Sequence, residues 1–339
     1  MQPHVTILPW APEHEVEIED FVAIHPDGLI YHTPAFRRYL IAMVEAECRS
    51  LLAFEDGRLV GIMLILARNG PYGTVLNSLP FFGSNGGILA VTQAAETALR
   101  IEYDHLAAGV AVAVWIAHPF MEVPPPRHDL VDERIAQWTD LSPGEGEGPN
   151  SSIDASARRN VKKALTEGVT VREAPDALDF LEEIHRENMA AIGGRAKPRE
   201  FFTCLPCTMT FGRDWRLYVA ERQGKRLAAL LTFEAARTVE YVMPVVKESA
   251  RSQQPTAAIL SRAMSDATLR GFTRWNWGGT WVTQEGVYRF KKKWGAQERR
   301  YRYFITLNDP SLRRRSAAEL TAAYPWLYTL PYSSLERGL

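Results

Sequence analysis

Residues 51–66, LLAFEDGRLVGIMLIL, and residues 217–233, LYVAERQGKRLAALLTF, are each two apolar runs broken by a short polar turn. The turns are Glu55-Asp56-Gly57-Arg58 and Gln223-Gly224-Lys225, the signal of a β-hairpin. Ala53, Gly57 and Leu64 correspond to Ala220, Gly224 and Leu231 at one constant offset of 167 positions. Working outward, Thr92 to Leu106 has helical spacing, ends near Gly109 and feeds the apolar run Val110 to Ile116. Its counterpart begins at Thr256, ends at Gly271 and feeds Phe272 to Trp277. The chain therefore reads as one α/β plan used twice, a meander of antiparallel strands followed by a helix and a crossing strand in a mixed α+β sheet.

Length supports two domains, because single cores rarely grow beyond about 250 residues and this chain has 339. Residues 121–150 contain Pro124-Pro125-Pro126 and the run SPGEGEGPN, which oppose regular structure. The expected division is an N-terminal domain over 1–120, a linker over 121–150, a second domain over 151–310 and a segment over 311–339 that packs back on the core. Thr33 and Pro34 start one helix, and Asp154 or Ser156 caps another that carries Arg158, Arg159, Lys162 and Lys163 and ends at Gly168.

Hydrophobic residues are 46% of the chain and charged residues 23%, as in a globular protein. Net charge is -1, which excludes a generic polyanion-coating protein and makes any basic site local. Only Cys48, Cys204 and Cys207 occur, too few for a disulfide framework, and the CxxC at 204–207 lacks the second ligand pair of a zinc site. No run approaches the ~18 apolar residues that span a bilayer. These features predict a cytoplasmic protein without a metal or resident cofactor. His185 shares a helix face with Leu178, Leu181 and Ile184 and reads as packing rather than catalysis.

The chemistry concentrates between Arg274 and Tyr303. Trp275, Trp277, Trp281 and Trp294 lie there, with Arg289, Lys291, Lys292, Lys293, Arg299, Arg300 and Arg302 against Glu285 and Glu298. Interleaved cations and aromatics suit a ligand with phosphates and flat rings. An amphipathic strand and helix with solvated lysines is the plainer alternative. The run from Asn77 through Phe81 and Asn85 to Gly87 is glycine-rich and aromatic, and reads either as an acceptor-binding loop or as a turn burying its phenylalanines.

Phe290-Lys291 followed by Trp294-Gly295-Ala296, downstream of Trp277-Gly278-Gly279, resembles the signature of the Fem family of the GNAT superfamily. SARRNVKKALTEGVTV is similar to that family's entry into its second domain, while YHTPAFRRYL and NSLPFFGSNGGILA resemble the related BioF2-like acyltransferases. The resemblance covers most of residues 29–307. It implies tandem GNAT-like domains and transfer of an aminoacyl group from aminoacyl-tRNA to an amine on a peptidoglycan precursor or small molecule. Lys291 and Phe290 become the expected catalytic pair, with the ammonium steadying an oxyanion. Arg158, Arg159, Lys162, Asn77, Phe81, Asn85, Trp277, Gly278, Gly279, Arg289 and Trp294 are the expected substrate-binding set. Arg251 and Thr256 would face the donor.

An acyl-CoA donor is the alternative. Ordinary GNAT enzymes present glycine-loop N–H groups to its pyrophosphate, whereas here Gln254 and Pro255 occupy that loop. This favours aminoacyl-tRNA. A non-catalytic protein binding RNA or a nucleotide-linked precursor is the alternative of another class.

Overall fold

The computed structural model describes residues 5–79, 85–142, 153–280 and 284–331. It divides into two compact units, Met1–Arg134 with Arg300–Leu339, and Ile135–Arg299. The first unit contains β1 (Val5–Pro9), α1 (Glu15–Ile24), α2 (Pro34–Met43), β2 (Glu47–Cys48), β3 (Leu51–Glu55), β4 (Arg58–Met63), β5 (Leu66–Gly70), β6 (Gly73–Asn77), β7 (Ile88–Ala90), α3 (Gln93–Ala108) and β8 (Val112–Ile116). Strand β9 (Leu130–Asp140) leads into the second unit: α4 (Ala155–Thr166), β10 (Thr170–Glu173), α5 (Leu178–Ala191), α6 (Arg199–Thr203), α7 (Leu205–Thr208), β11 (Trp215–Arg222), β12 (Lys225–Ala235), β13 (Thr238–Val246), α8 (Pro255–Leu269), β14 (Arg274–Thr280) and α9 (Glu285–Lys292). Strand β15 (Gln297–Leu307) returns to the first unit, which closes with α10 (Ala317–Ala323).

Both expected hairpins form, and their turns share one geometry. Asp56 and Gly57 have φ of 49° and 76°, Gln223 and Gly224 of 50° and 72°, the consecutive left-handed pair whose twist matches the flanking strands. The strand register repeats as well. Ala53 pairs Gly61 and the register shifts before Phe54. Ala220 pairs Ala228 and the register shifts before Glu221.

In each unit a strand before the long helix pairs in parallel with the strand after it, β6 with β8 and β13 with β14. Along this register Asn77, opposite Leu66 and Val114, is the counterpart of Glu240, opposite Phe233 and Asn276. The tandem mixed α/β plan is thus written in pairing and turns.

Alternation explains burial on both faces of the first hairpin. Leu51 and Ala53 join the core under α3, where Tyr103 meets Trp115 edge-on at 4.8 Å. Leu52 and Phe54 point to the opposite face, with Ile18, Phe21 and Val22 of α1. The helices start as expected: Thr33 Oγ1 accepts from Phe36 N, Thr92 Oγ1 from Ala95 N, and the Asp154 carboxylate from Ser156 N.

The structure corrects two boundaries. The expected linker contains the 11-residue strand β9, whose Ile135–Asp140 half pairs with β14. Its ladder and the buried Ala136, Gln137, Trp138 and Thr139 outweigh the Pro-rich punctuation before it. Residues 300–310, expected in the second domain, belong to the first unit, where Tyr303–Leu307 pairs with β8.

The C-terminal segment does pack back, on the first unit. Tyr324 Oη accepts from Tyr72 N at 3.0 Å and donates to Gly73 O at 2.8 Å. The Asn77 amide donates to Tyr328 O at 2.8 Å and accepts from Tyr328 N at 2.9 Å. Asn77→Ala leaves both Tyr328 backbone groups buried without these partners. It is expected to lower unfolding free energy by about 2–4 kcal/mol, read as a lower urea midpoint with unchanged slope. A change under about 0.5 kcal/mol would show that the clasp does not hold this segment.

Candidate functional site

In the second unit, β13 and β14 pair only from Thr238–Arg274 to Glu240–Asn276, although β13 continues to Val246. Just beyond this point β14 bulges: its antiparallel register with β9 shifts between Asn276 and Gly279, and Gly278 takes φ of 70°. That conformation strains any residue with a Cβ, which gives Gly278 its physical reason.

Helix α9 carries Lys291 to the bulge. Lys291 is 4% exposed. Its Nζ donates to Thr280 Oγ1 at 2.7 Å, and lies 3.4 Å from Gly278 O and 3.3 Å from Gly279 O. Three neutral oxygens and no carboxylate surround the ammonium among these contacts, so burial dominates and lowers its pKa to about 8. The two carbonyl contacts are long, and together with the Thr280 bond they account for the three N–H groups of the ammonium.

A polar shell fixes this arrangement. Thr280 Oγ1 donates to Gln137 Oε1 at 3.1 Å, and Gln137 Nε2 donates to Tyr288 O of α9 at 3.1 Å. Asn276 Nδ2 donates to Glu240 Oε2 at 2.7 Å while its Oδ1 accepts from Gly278 N at 2.8 Å. Trp277 Nε1 donates to Thr139 Oγ1 at 2.8 Å, and Thr139 Oγ1 donates to Trp294 O at 3.0 Å. Phe290, half-buried, meets Trp277 edge-on at 6.2 Å.

The fold therefore gathers Lys291, Phe290, Trp277, Gly278, Gly279 and Trp294. Gly279 is the exposed member. Trp277 and Trp294, expected to contact substrate, are each 2% exposed and fill the core with Trp275 and Ala258; their aromatic surface stabilises the wall of the site.

Arg158 and Arg159 are exposed on α4, Arg158 donating to Ile153 O. Lys162 is exposed one turn later. Arg289 pairs with Glu285 at 2.8 Å on the exposed face of α9. Arg251 is ion-paired to Glu248 at 2.6 Å in the turn before α8, and Thr256 is half-buried in that helix's first turn.

Asn77 and Asn85 belong to the first unit. The Asn77 amide is engaged by Tyr328, so it is not available to a ligand. Asn85 is fully buried, with neither amide atom hydrogen-bonded among the described residues. Phe81 lies outside the described residues. A crevice of about 280 Å³ in the first unit, lined by Arg49, Asn69, Thr74 and His105, contains none of the expected residues. His185 packs as expected: its Nε2 accepts from Lys197 N at 3.0 Å, and burial with the nearby Lys197 charge lowers its pKa to about 4. Among the described residues no cluster of three or more His, Cys, Asp or Glu could hold a metal ion, and no helix is long and apolar enough to cross a membrane.

Sequence reasoning missed Gln137, Thr139, Glu240, Asn276 and Thr280. Asn276 had a visible signal, a lone amide between two tryptophans ahead of Gly-Gly. Gln137 and Thr139 were hidden by their place in the expected linker.

The family model described as an acetyltransferase (GNAT) domain matches residues 151–292. No curated protein is significantly similar in sequence. Among solved structures the chain resembles FemX, with 14% identity, TM-score 0.67, and coverage of 91% of this chain and 99% of that one. It also resembles the C-terminal domain of a protein from Agrobacterium fabrum assigned as a lysylphosphatidylglycerol synthetase, with 12% identity, TM-score 0.60 and coverage of 94% and 99%. A tandem GNAT protein from the clavulanic acid biosynthesis pathway matches at 12% identity and TM-score 0.50, covering 91% and 99%.

The buried ammonium has a thermodynamic signature. Its folded pKa of about 8 lies below the ordinary 10.5, so between these values the unfolded chain binds the extra proton and stability rises with pH. The penalty is fully present below pH 8. The stability of the unaltered chain minus that of Lys291→Met should rise by on the order of 3 kcal/mol across this window, measured by urea unfolding at each pH. A flat difference would mean that Lys291 titrates normally.

Proposed function

We propose that the chain, whose residues 151–292 match an acetyltransferase (GNAT) domain and whose fold is similar to FemX, is a Fem-like acyltransferase that forms an amide bond by moving an aminoacyl group from aminoacyl-tRNA to an amine. The acceptor would be a peptidoglycan precursor or an amine-bearing small molecule. The observation that carries the donor assignment is the start of α8. Gln254 takes a left-handed φ of 57°, Pro255 has no N–H, and Ala257 N donates back to Gln254 O at 3.0 Å. Of the first three helical positions only Thr256 presents an N–H outward, a poor cradle for the pyrophosphate of CoA. Arg251, the remaining cation of that turn, is held by Glu248.

In the proposed reaction the amine nitrogen attacks the ester carbonyl and gives a tetrahedral intermediate with a negative oxygen. The Lys291 ammonium, roughly nine-tenths protonated at pH 7 given its pKa of about 8, stabilises that charge in a dry site. Collapse breaks the ester bond and the ribose oxygen departs with a proton, while the nitrogen loses one. No enzyme nucleophile is needed, because the donor is already activated. Phe290 would shape the wall beside the reacting carbonyl. The exposed cations Arg159, Lys162, Lys292 and Lys293 on α4 and at the end of α9 give the same unit a surface suited to an RNA backbone. An aminoacyl-tRNA donor also sets the reaction in the cytoplasm.

Purified protein given charged tRNAs and candidate amines is expected to form amide product that ribonuclease abolishes. Lys291→Met should lower turnover ~10²-fold with little change in acceptor KM. Product that resists ribonuclease and requires acyl-CoA would replace the donor assignment. Steeply salt-dependent RNA binding without turnover of any donor would indicate a binding protein. An unchanged rate at saturation with weakened acceptor binding would make Lys291 a ligand contact only.

A further inference from the structure

The bulge in β14 removes Gly278 from the regular ladder, and its buried N–H must find another acceptor. It finds Asn276 Oδ1 at 2.8 Å, two residues back, on a side chain with no solvent exposure. The same amide donates to the Glu240 carboxylate at 2.7 Å, on the last residue of β13 that still pairs with β14. On the other side of the bulge the carbonyls of Gly278 and Gly279 face Lys291 Nζ.

We propose that Asn276 is a positioning residue of this site: its amide ties the Gly278-Gly279 bulge to Glu240 and thereby fixes the two carbonyls against which the Lys291 ammonium is set. An amide alone among side chains of this size donates and accepts in one plane, so a single residue can satisfy a backbone N–H and a carboxylate together. A carboxylate would accept from Gly278 but repel Glu240, and an aliphatic side chain would do neither. Titratable groups on the flanking elements include Glu240 and Tyr241 on β13, Asp140 on β9, and Tyr288 and Lys291 on α9. The effect on catalysis rests on the acyl-transfer reading; the effect on Lys291 does not.

Two readouts on the full chain separate these. The first is acetylation of Lys291 by acetic anhydride between pH 7 and 10, followed by mass spectrometry with exposed Lys162 as internal control. In the unaltered chain Lys291 should titrate near pH 8. Asn276→Leu, which keeps the shape without the amide, should change Lys291 labelling at pH 8 by about threefold or more and leave Lys162 unchanged. An unchanged Lys291 would overturn the proposal.

The second readout is turnover. Asn276→Leu should lower kcat about tenfold or more with little change in acceptor KM, and should cost nothing further in a Lys291→Met background, because both changes act through the same bulge. Additive losses would show that Asn276 acts independently of Lys291 and would also overturn it.

Asn276→Asp covers the case in which the leucine variant fails to fold. Where its carboxyl and Glu240 share one proton, an O–H replaces the amide N–H and kcat approaches that of the unaltered chain. As the pH is raised and that proton is lost, the two carboxylates repel and kcat should fall about tenfold. A pH dependence identical to that of the unaltered chain would sink the idea. If Lys291 labelling responds as expected but no donor supports turnover in the unaltered chain, the positioning role stands and the transferase reading fails.

Discussion

The parting of β13 and β14 after Glu240 and Asn276 is the constraint to which the rest of the second unit answers. Two parallel strands that separate inside a protein leave backbone groups facing a gap, and each must be satisfied by something other than the ladder. The bulge, the Asn276 amide and the Lys291 ammonium are three successive answers. The amide takes the Gly278 N–H, and the ammonium takes carbonyls that a straight strand would have paired. Helix α9 is held to the opposite strand by Gln137, which bonds Thr280 through its Oε1 and Tyr288 O through its Nε2. Substrate chemistry at this point would exploit a polarity that the fold already had to manage.

The first unit carries different chemistry at the equivalent register. At the position of Glu240 it has Asn77, and opposite it Val114 replaces Asn276. Asn77 turns its amide to the C-terminal segment, where Tyr328 supplies a complementary N–H and C=O. Just beyond Asn77, Ser78 keeps the strands joined, its N–H donating to Val114 O at 2.8 Å and its Oγ accepting from Ile116 N at 2.7 Å. One architecture used twice has kept a charged, partly open version in one copy and a neutral, occupied version in the other.

What the sequence disclosed follows from how local each signal is. The hairpins, their turns and the helix caps depend on residues within a few positions of one another, so Asp56-Gly57, Gln223-Gly224, Thr33 and Thr92 could be read directly. Strand β9 was not read, because its partner β14 lies more than a hundred residues away and Pro-Gly punctuation on either side suggested a linker. Lys291 was visible through its Phe-Lys motif, yet its surroundings come from three different strands and could not be. The tryptophans misled for a related reason. An aromatic cluster looks the same in sequence whether it faces a ligand or, as with Trp277 and Trp294, a core.

The choice of lysine at position 291 also follows from this setting. A guanidinium is planar and suits two oxygens in a fork, whereas an ammonium is compact and can address the two bulge carbonyls and a hydroxyl arranged around it. The ammonium is also harder to bury, which is why its pKa falls to about 8 while Arg134, clasped by Asp132 and tyrosine rings in the first unit, is raised. A lysine held by neutral oxygens keeps its charge at neutral pH by a narrow margin and has no carboxylate to share it with. On the proposed acyl-transfer reading, a developing oxyanion near the bulge would be the species that gains most from its field. The same buried position that makes Lys291 costly to the folded state would make its charge effective in that reaction.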